Sequence, residues 1–218
     1  KRSAYNKGQI LYRIAETLEG RKAQFVESFI RQGLLPAAAI QETEAAIDLL
    51  VYYAGWCDKY IQVFSSVNPV ESSHFNFSYH EPMGIATVFA PEESGLLGMV
   101  AAIAPMIIGG NAITVLASEK YPMTAIDFAE VLHASDVPGG VVNIITGYRK
   151  EFLSHAASHM DVNGIVYSDL TAEQRKLVQT NAAGNVKRVV DFSKEEMATP
   201  YRILSGQEVK TTWHPIGS

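Results

Sequence analysis

One cysteine, two tryptophans and no long uninterrupted apolar run are found among the 218 residues, and each scarcity narrows what the chain can be. A lone Cys57 excludes an internal disulfide framework, which fits a reducing, cytoplasmic setting. The longest apolar stretch, 95–115, is interrupted by Pro105 and by Gly109-Gly110-Asn111. It reads as a buried helix followed by a buried strand rather than as a membrane span. Residues 1–6 carry no signal-peptide pattern. Positive charge is also short: 18 Lys and Arg against 23 Asp and Glu give a formal net charge of −5, with no basic stripe. Nucleic acid is therefore not expected as a partner, because phosphate binding needs clustered cations. No repeat or low-complexity tract stands out.

What is present is a foldable chain. With 47% hydrophobic and 19% charged residues it buries a real core, as one good-sized domain or as a domain with a small appendage. Ile10, Ile14, Leu18, Phe25 and Phe29 recur at helical spacings and predict an amphipathic helix over 8–31. A second helix is expected over 37–60, ending in Tyr52, Tyr53, Trp56 and Tyr60, aromatics expected to pack on the sheet. Phe75, Phe77 and Tyr79 alternate with polar residues, which is strand periodicity. From Gly84 the rhythm becomes α/β. Strands are expected at 85–90, 112–116, 141–145, 164–167 and 188–192, with helices at 96–108, 124–134, 150–157 and 171–183. Short apolar strands separated by helices indicate a parallel sheet covered on both faces. Beyond Phe192, residues 193–200 read as a polar linker, and 201–218 as a terminal hairpin or paired strand.

The phrases AIDLLVYYAGWCDKY, YHEPMGIATVFAP, IIGGNAITVLASEKYPMTA, DVPGGVVNIITGY and HAASHMDVNG occur in order between about Tyr5 and Asp191. Together they resemble the aldehyde dehydrogenase superfamily. The resemblance implies a Rossmann-like parallel sheet with helices on both faces, preceded by N-terminal helices and accompanied by oligomerisation-type β strands. It assigns 1–200 to the cofactor-type unit, with 72–80 an oligomerisation-type strand, and 201–218 to a terminal oligomerisation hairpin. It finds no catalytic domain.

Carried over position by position, the family's functional motifs are mostly broken. The oxyanion-stabilising Asn of a Pro-Trp-Asn loop aligns with Glu93 in Pro91-Glu92-Glu93, and the ribose-binding lysine aligns with Leu116, although Glu119 is kept. The Gly-Tyr-Gly turn beside the adenine is Gly147-Tyr148-Arg149, without its second glycine. The glycine of the turn beside the pyrophosphate is Asp169, which adds a Cβ and a negative charge. The general-base glutamate aligns with Phe192, which accepts no proton. Pro91, Glu119 and Gly147 are thus the residual cofactor positions, no catalytic residue is expected, and no cofactor is expected although NAD is the family's own. The pattern resembles the second, degenerate half of the two-part aldehyde dehydrogenases called family sixteen.

Bland readings stand beside the functional ones. Cys57 sits among aromatics on a helix and reads as a small buried hydrophobe rather than a nucleophile. His80, His155 and His159 lack a companion motif such as HExxH, so they are expected to face solvent and no metal is expected. Glu92 and Glu93 either repel nucleotide or are acids favoured by the dipole of the following helix. Trp213 is core packing or an interface anchor. The function implied is a non-catalytic unit serving assembly or regulation, as a homo-oligomer or docked on a catalytic aldehyde dehydrogenase half. Two alternatives stay open: a fragment of an active NAD(P)-dependent enzyme, and a residual nucleotide sensor.

Overall fold

Ser3 accepts a hydrogen bond from the Asn6 backbone and so starts α1 (Ala4–Gly20) in the computed structural model, which describes residues 3–217. Leu11, Ile14 and Leu18 turn to the core from one stripe of this helix. The single helix expected over 8–31 is two: Arg21 leaves helical geometry directly after Gly20, a weak helix former, and α2 (Lys22–Arg31) then buries Phe25 and Phe29. Pro36 opens α3 (Pro36–Ala54), where its missing N–H has no intrahelical partner to lose. The expected continuation to residue 60 is a turn followed by the short α4 (Tyr60–Phe64).

A three-stranded antiparallel sheet follows, built from β1 (Ser66–Asn68), β2 (His74–Pro82) and β8 (Gln207–Pro215) in the order β1-β2-β8. β2 and β8 pair along their full nine residues, from His74 opposite Pro215 to Pro82 opposite Gln207.

The second sheet is parallel. Its strands β3 (Ile85–Phe89), β4 (Ala112–Leu116), β5 (Val142–Ile145), β6 (Gly164–Tyr167) and β7 (Arg188–Asp191) lie in the order β5-β4-β3-β6-β7. Between them run α5 (Leu97–Gly109), α6 (Pro122–Ala134), α7 (Arg149–Ser158) and α8 (Ala172–Ala183). Alternation along the strands splits the core. Val88, Val115 and Val166 join α5, α6 and the N-terminal helices, whereas Phe89, Leu116 and Ile165 join α7 and α8. Because α5 is the central helix of the first layer, all but two of its thirteen residues are buried. Gly110 ends it at φ +93°, a left-handed cap that returns the chain into β4.

The hairpin expected over 201–218 is not formed. Tyr201–Ser205 is a short helix, α9, and only the paired strand β8 follows it; residue 218 lies outside the described residues. Arg202 and Ile203 are both buried in this short helix.

Candidate functional site

The chain enters the parallel sheet at its middle strand β3, builds outward through β4 and β5, then returns to place β6 on the other side of β3. Ligand crevices of open α/β sheets form at this switch point, beyond the carboxyl ends of the strands. Glu92 follows β3 and Asp169 follows β6, so the two carboxylates flank it. Between them lies the guanidinium of Arg149, the first residue of α7, with its side chain 7% exposed.

Arg149 reaches Glu92 at 2.9 Å and Asp169 at 3.0 Å, and donates to the Ala90 carbonyl at 2.7 Å. The far sides of the carboxylates are also engaged. Asp169 accepts from the Glu92 backbone at 2.7 Å; Glu92 accepts from the Glu119 backbone at 2.7 Å and from the Ser118 hydroxyl at 3.1 Å. Charge-assisted bonds of this kind are among the strong ones, and here they tie together the four loops that follow β3, β4, β5 and β6.

Each of the four helices that begin at this rim has at least one first-turn N–H taken by a side chain of the chain itself. Glu42, reaching over from α3, accepts from Leu96 and Leu97 at 3.2 and 3.0 Å and from the Ser94 hydroxyl at 2.8 Å, ahead of α5. Gln32 accepts from Met123 at 3.0 Å in α6. Glu119 accepts from Arg149 at 2.7 Å in α7. In α8, Thr171 and Gln174 close a reciprocal capping box. Helix N-termini are ready anion sites when those donors are unoccupied, and here carboxylates, an amide and a hydroxyl of the chain hold part of them.

Pro91, Glu119 and Gly147 therefore fall at the rim but not into one pocket. Pro91 packs so closely on Gly98 that a Cβ there would collide with its ring. Glu119 is turned to the start of α7, and Gly147 is exposed with open space around it. Leu116 is buried in the second core cluster. Phe192 is 2% exposed, with the Arg202 guanidinium 4.2 Å above its ring. Glu92 and Asp169 do not stand as bare negative charge, as the sequence suggested; they share the one positive charge of Arg149. Nor do Glu92 and Glu93 serve the dipole of α5, which Glu42 serves: Glu93 pairs outward with Lys120. The sequence reading missed Arg149, Glu42 and Gln32. The available signal was a cation, Arg149, in a loop of the same rim as the acids Glu92 and Asp169.

The other candidates lie elsewhere. Cys57 is buried, its thiol donates to the Tyr53 carbonyl at 3.7 Å, and burial pushes its pKa up to about 12. It borders a cavity of about 610 Å³ lined by Lys7, Tyr60, Gly110 and Ala112, at the amino end of β4 and thus opposite the crevice. His155 and His159 are exposed as expected. His80 is not: it is half-buried, with Nε2 3.1 Å from the Phe64 carbonyl. Among the described residues no three His, Cys, Asp or Glu side chains gather as a metal site, and no helix is long and apolar enough to cross a membrane. The Tyr52 cluster joins the core cluster that also holds Val88 and Val115 of the sheet, and it meets the 197–201 segment as well, through the Tyr53 hydroxyl bonded to Met197 and Phe64 tilted against Tyr201.

With this geometry in place, the model of the aldehyde dehydrogenase family matches residues 1–191. The chain belongs to that family. It is 32% identical over 187 residues to omega-crystallin of Enteroctopus dofleini, covering 85% of this chain and 37% of that protein. It is 28% identical over 188 residues to human aldehyde dehydrogenase 1A1, again covering 85% and 37%. The fold superimposes on an NAD+ complex of an aldehyde dehydrogenase from Bacillus cereus with a TM-score of 0.81 at 20% identity, covering 87% of this chain and 38% of that one. PnpE from Pseudomonas sp. WBC-3 gives 0.80 at 24%, covering 86% and 38%. The chain thus spans a little over a third of the relatives it matches.

Proposed function

We propose that this stretch is a non-catalytic aldehyde-dehydrogenase-like unit with a structural, assembly or regulatory role for a catalytic aldehyde dehydrogenase half. The observation that carries the reading is the Arg149 clasp at the switch point, with Glu92 at 2.9 Å and Asp169 at 3.0 Å. The family's NAD does not fit these residues. A pyrophosphate needs donors and room, and several of the donors are capped while the Arg149 guanidinium lies between the loops. Phe192 supplies no base, and the protonated, enclosed Cys57 is no nucleophile in a site.

The aromatic face of β2 supports the assembly part. Phe75, Phe77 and Tyr79 follow one another with ring centres 5.4 and 5.9 Å apart, and Phe75 and Trp213 are exposed. β8 is an outer strand of this sheet, with Trp213 exposed on one face and Phe75 on the other, and open strand edges and uncovered rings tend to meet another chain, here a second copy or the catalytic half. The cytoplasmic placement belongs to this proposal and rests on the unpaired cysteine.

Calorimetric titration with NAD and NADP tests the core of the reading. No saturable binding tighter than about 100 μM is expected. Tighter binding, or NAD(P)H formation from an aldehyde that disappears in Cys57→Ala, overturns it. The second reading, a fragment of an active NAD(P)-dependent enzyme, is favoured by the 37% coverage of the relatives. The complete reading frame separates the two, because the first reading requires a separate catalytic half carrying its own nucleophile.

A further inference from the structure

Residues 192–206 connect the last strand of the parallel sheet to β8, and they lie outside the family match. Exposed side chains fill 193–198, so the bridge is held near its two ends, where Phe192 and Ile203 are buried. Arg202 is the charged member of that buried group. It is 2% exposed, and among the described residues it forms no ion pair; its guanidinium instead donates to the carbonyls of Ala101 at 3.2 Å, Phe192 at 3.2 Å and Glu195 at 2.8 Å. A buried cation facing only carbonyls is costly, and burial lowers its pKa from the usual arginine value.

The Ala101 bond explains the arrangement. In an α-helix the carbonyl of residue 101 accepts from the N–H of residue 105, and residue 105 is Pro105, inside α5. The proline leaves a buried carbonyl without its helical donor, and Arg202 supplies the donor from another element. One guanidinium thereby bonds α5 and both ends of the turn that leaves β7, while its face covers Phe192 at 4.2 Å. The Tyr53 hydroxyl holds the middle of the bridge, 2.7 Å from the Met197 carbonyl and 3.1 Å from that of Thr199.

We propose that Pro105 and Arg202 act as a coupled pair, receptor and key, that docks the 192–206 bridge onto α5 and so fixes where the chain enters β8. Arg202 is in this sense a positioning residue, and the proposal stands independently of whether the crevice binds nucleotide. When the bridge opens, β8 loses the tether that keeps its pairing with β2 within one chain, and exchange of that strand with a second copy becomes open to it.

Amide hydrogen exchange on the full chain tests this in a double-mutant cycle. Arg202→Met should speed exchange of the protected amides of Phe192, Ile203 and Gly206 by about tenfold or more and leave 85–89 unchanged, with a dimer increasing at high concentration. Pro105→Ala gives residue 105 an N–H for the Ala101 carbonyl. In that background Arg202→Met should lose at least a third of its effect, and Arg202→Lys, which keeps the charge but not the fork, should fall between wild type and Met. Equal acceleration in both backgrounds, or equal acceleration of bridge and β3, overturns the proposal. Should Arg202→Met not fold, the Lys variant in the two backgrounds and Tyr53→Phe, expected to loosen 196–200 alone, decide it by the same comparison.

Discussion

The crevice rim and the three-stranded sheet treat their interacting groups in opposite ways. At the rim, four helix N-termini and two acids are matched by side chains of the same chain, so a ligand would have to displace bonds already made. On the sheet, Phe75 on one face and Val209 and Trp213 on the other stay 44%, 61% and 58% exposed. Relatives of this fold include an NAD+ complex, so the rim is where a family member's ligand chemistry is sought. Here the polar end is closed by self-satisfaction and the apolar end is left uncovered. The difference shifts the search for function from small-molecule chemistry to contact between chains.

Breaking the closed end should give the largest effect. Arg149→Ala leaves Glu92 and Asp169 facing each other without their cation. Removing one partner of a fully buried pair costs about 3–5 kcal/mol; with these carboxylates 28% and 31% exposed, about 2–3 kcal/mol is expected from urea unfolding. Adding Glu92→Gln and Asp169→Asn should recover much of the loss. If Arg149→Ala is neutral, the clasp is not what closes the rim.

The interior calibrates that effect through pH. Burial raises the pKa values of Cys57, Tyr53, Tyr60 and Tyr167, so the folded chain keeps protons that the unfolded chain releases. This contribution to stability is full below the unfolded pKa, near 8.5 for cysteine, and is lost as pH rises. Cys57 contributes its share up to about pH 12, where its folded thiol ionises. Each group adds a slope of roughly 1.4 kcal/mol per pH unit once its unfolded form is ionised. Urea midpoints should fall from pH 8.5 to 10.5, less steeply in Cys57→Ala; an unchanged slope would mean that the thiol is not enclosed as described.

The open end is tested by association. Phe75→Thr with Trp213→Thr keeps two strand-forming residues while removing exposed apolar area. Sedimentation should show self-association weakened several-fold or more, with the urea midpoint nearly unchanged. A fall in stability with no change in association would make these rings intramolecular packing instead.

The sequence disclosed the parallel sheet almost residue for residue, because β3 to β7 are short, apolar and set off by turn residues. Two kinds of feature escaped it. Breaks within helical periodicity, such as Arg21 after Gly20, do not disturb the apolar spacing and so leave no trace in it. Long-range polar partners leave even less: Glu42 meets Leu97, and Arg202 meets Ala101, across separations that only the fold brings together. The acids Glu92, Glu93 and Asp169 were legible as members of the loops after β3 and β6. That Arg149 answers two of them was not, since pairing depends on where β3, β5 and β6 end relative to one another.

The smallest expected effect sharpens the comparison to adjacent residues. Glu92 and Glu93 share a loop, a charge and a sequence context, so any general account based on acidic repulsion treats them alike. The structure does not. Glu92 is 28% exposed and faces Arg149, the Ser118 hydroxyl and the Glu119 N–H, whereas Glu93 is 79% exposed and meets only Lys120, itself 47% exposed. Exposed ion pairs hold little net stability because solvent screens them and side-chain entropy opposes them. Glu93→Gln should therefore leave the urea midpoint unmoved, while Glu92→Gln lowers it measurably and by less than Arg149→Ala, because the neutral amide still accepts hydrogen bonds. Equal shifts from the two would show that the loop responds to net charge and not to the clasp, and the contrast between a closed rim and an open sheet would lose its physical basis.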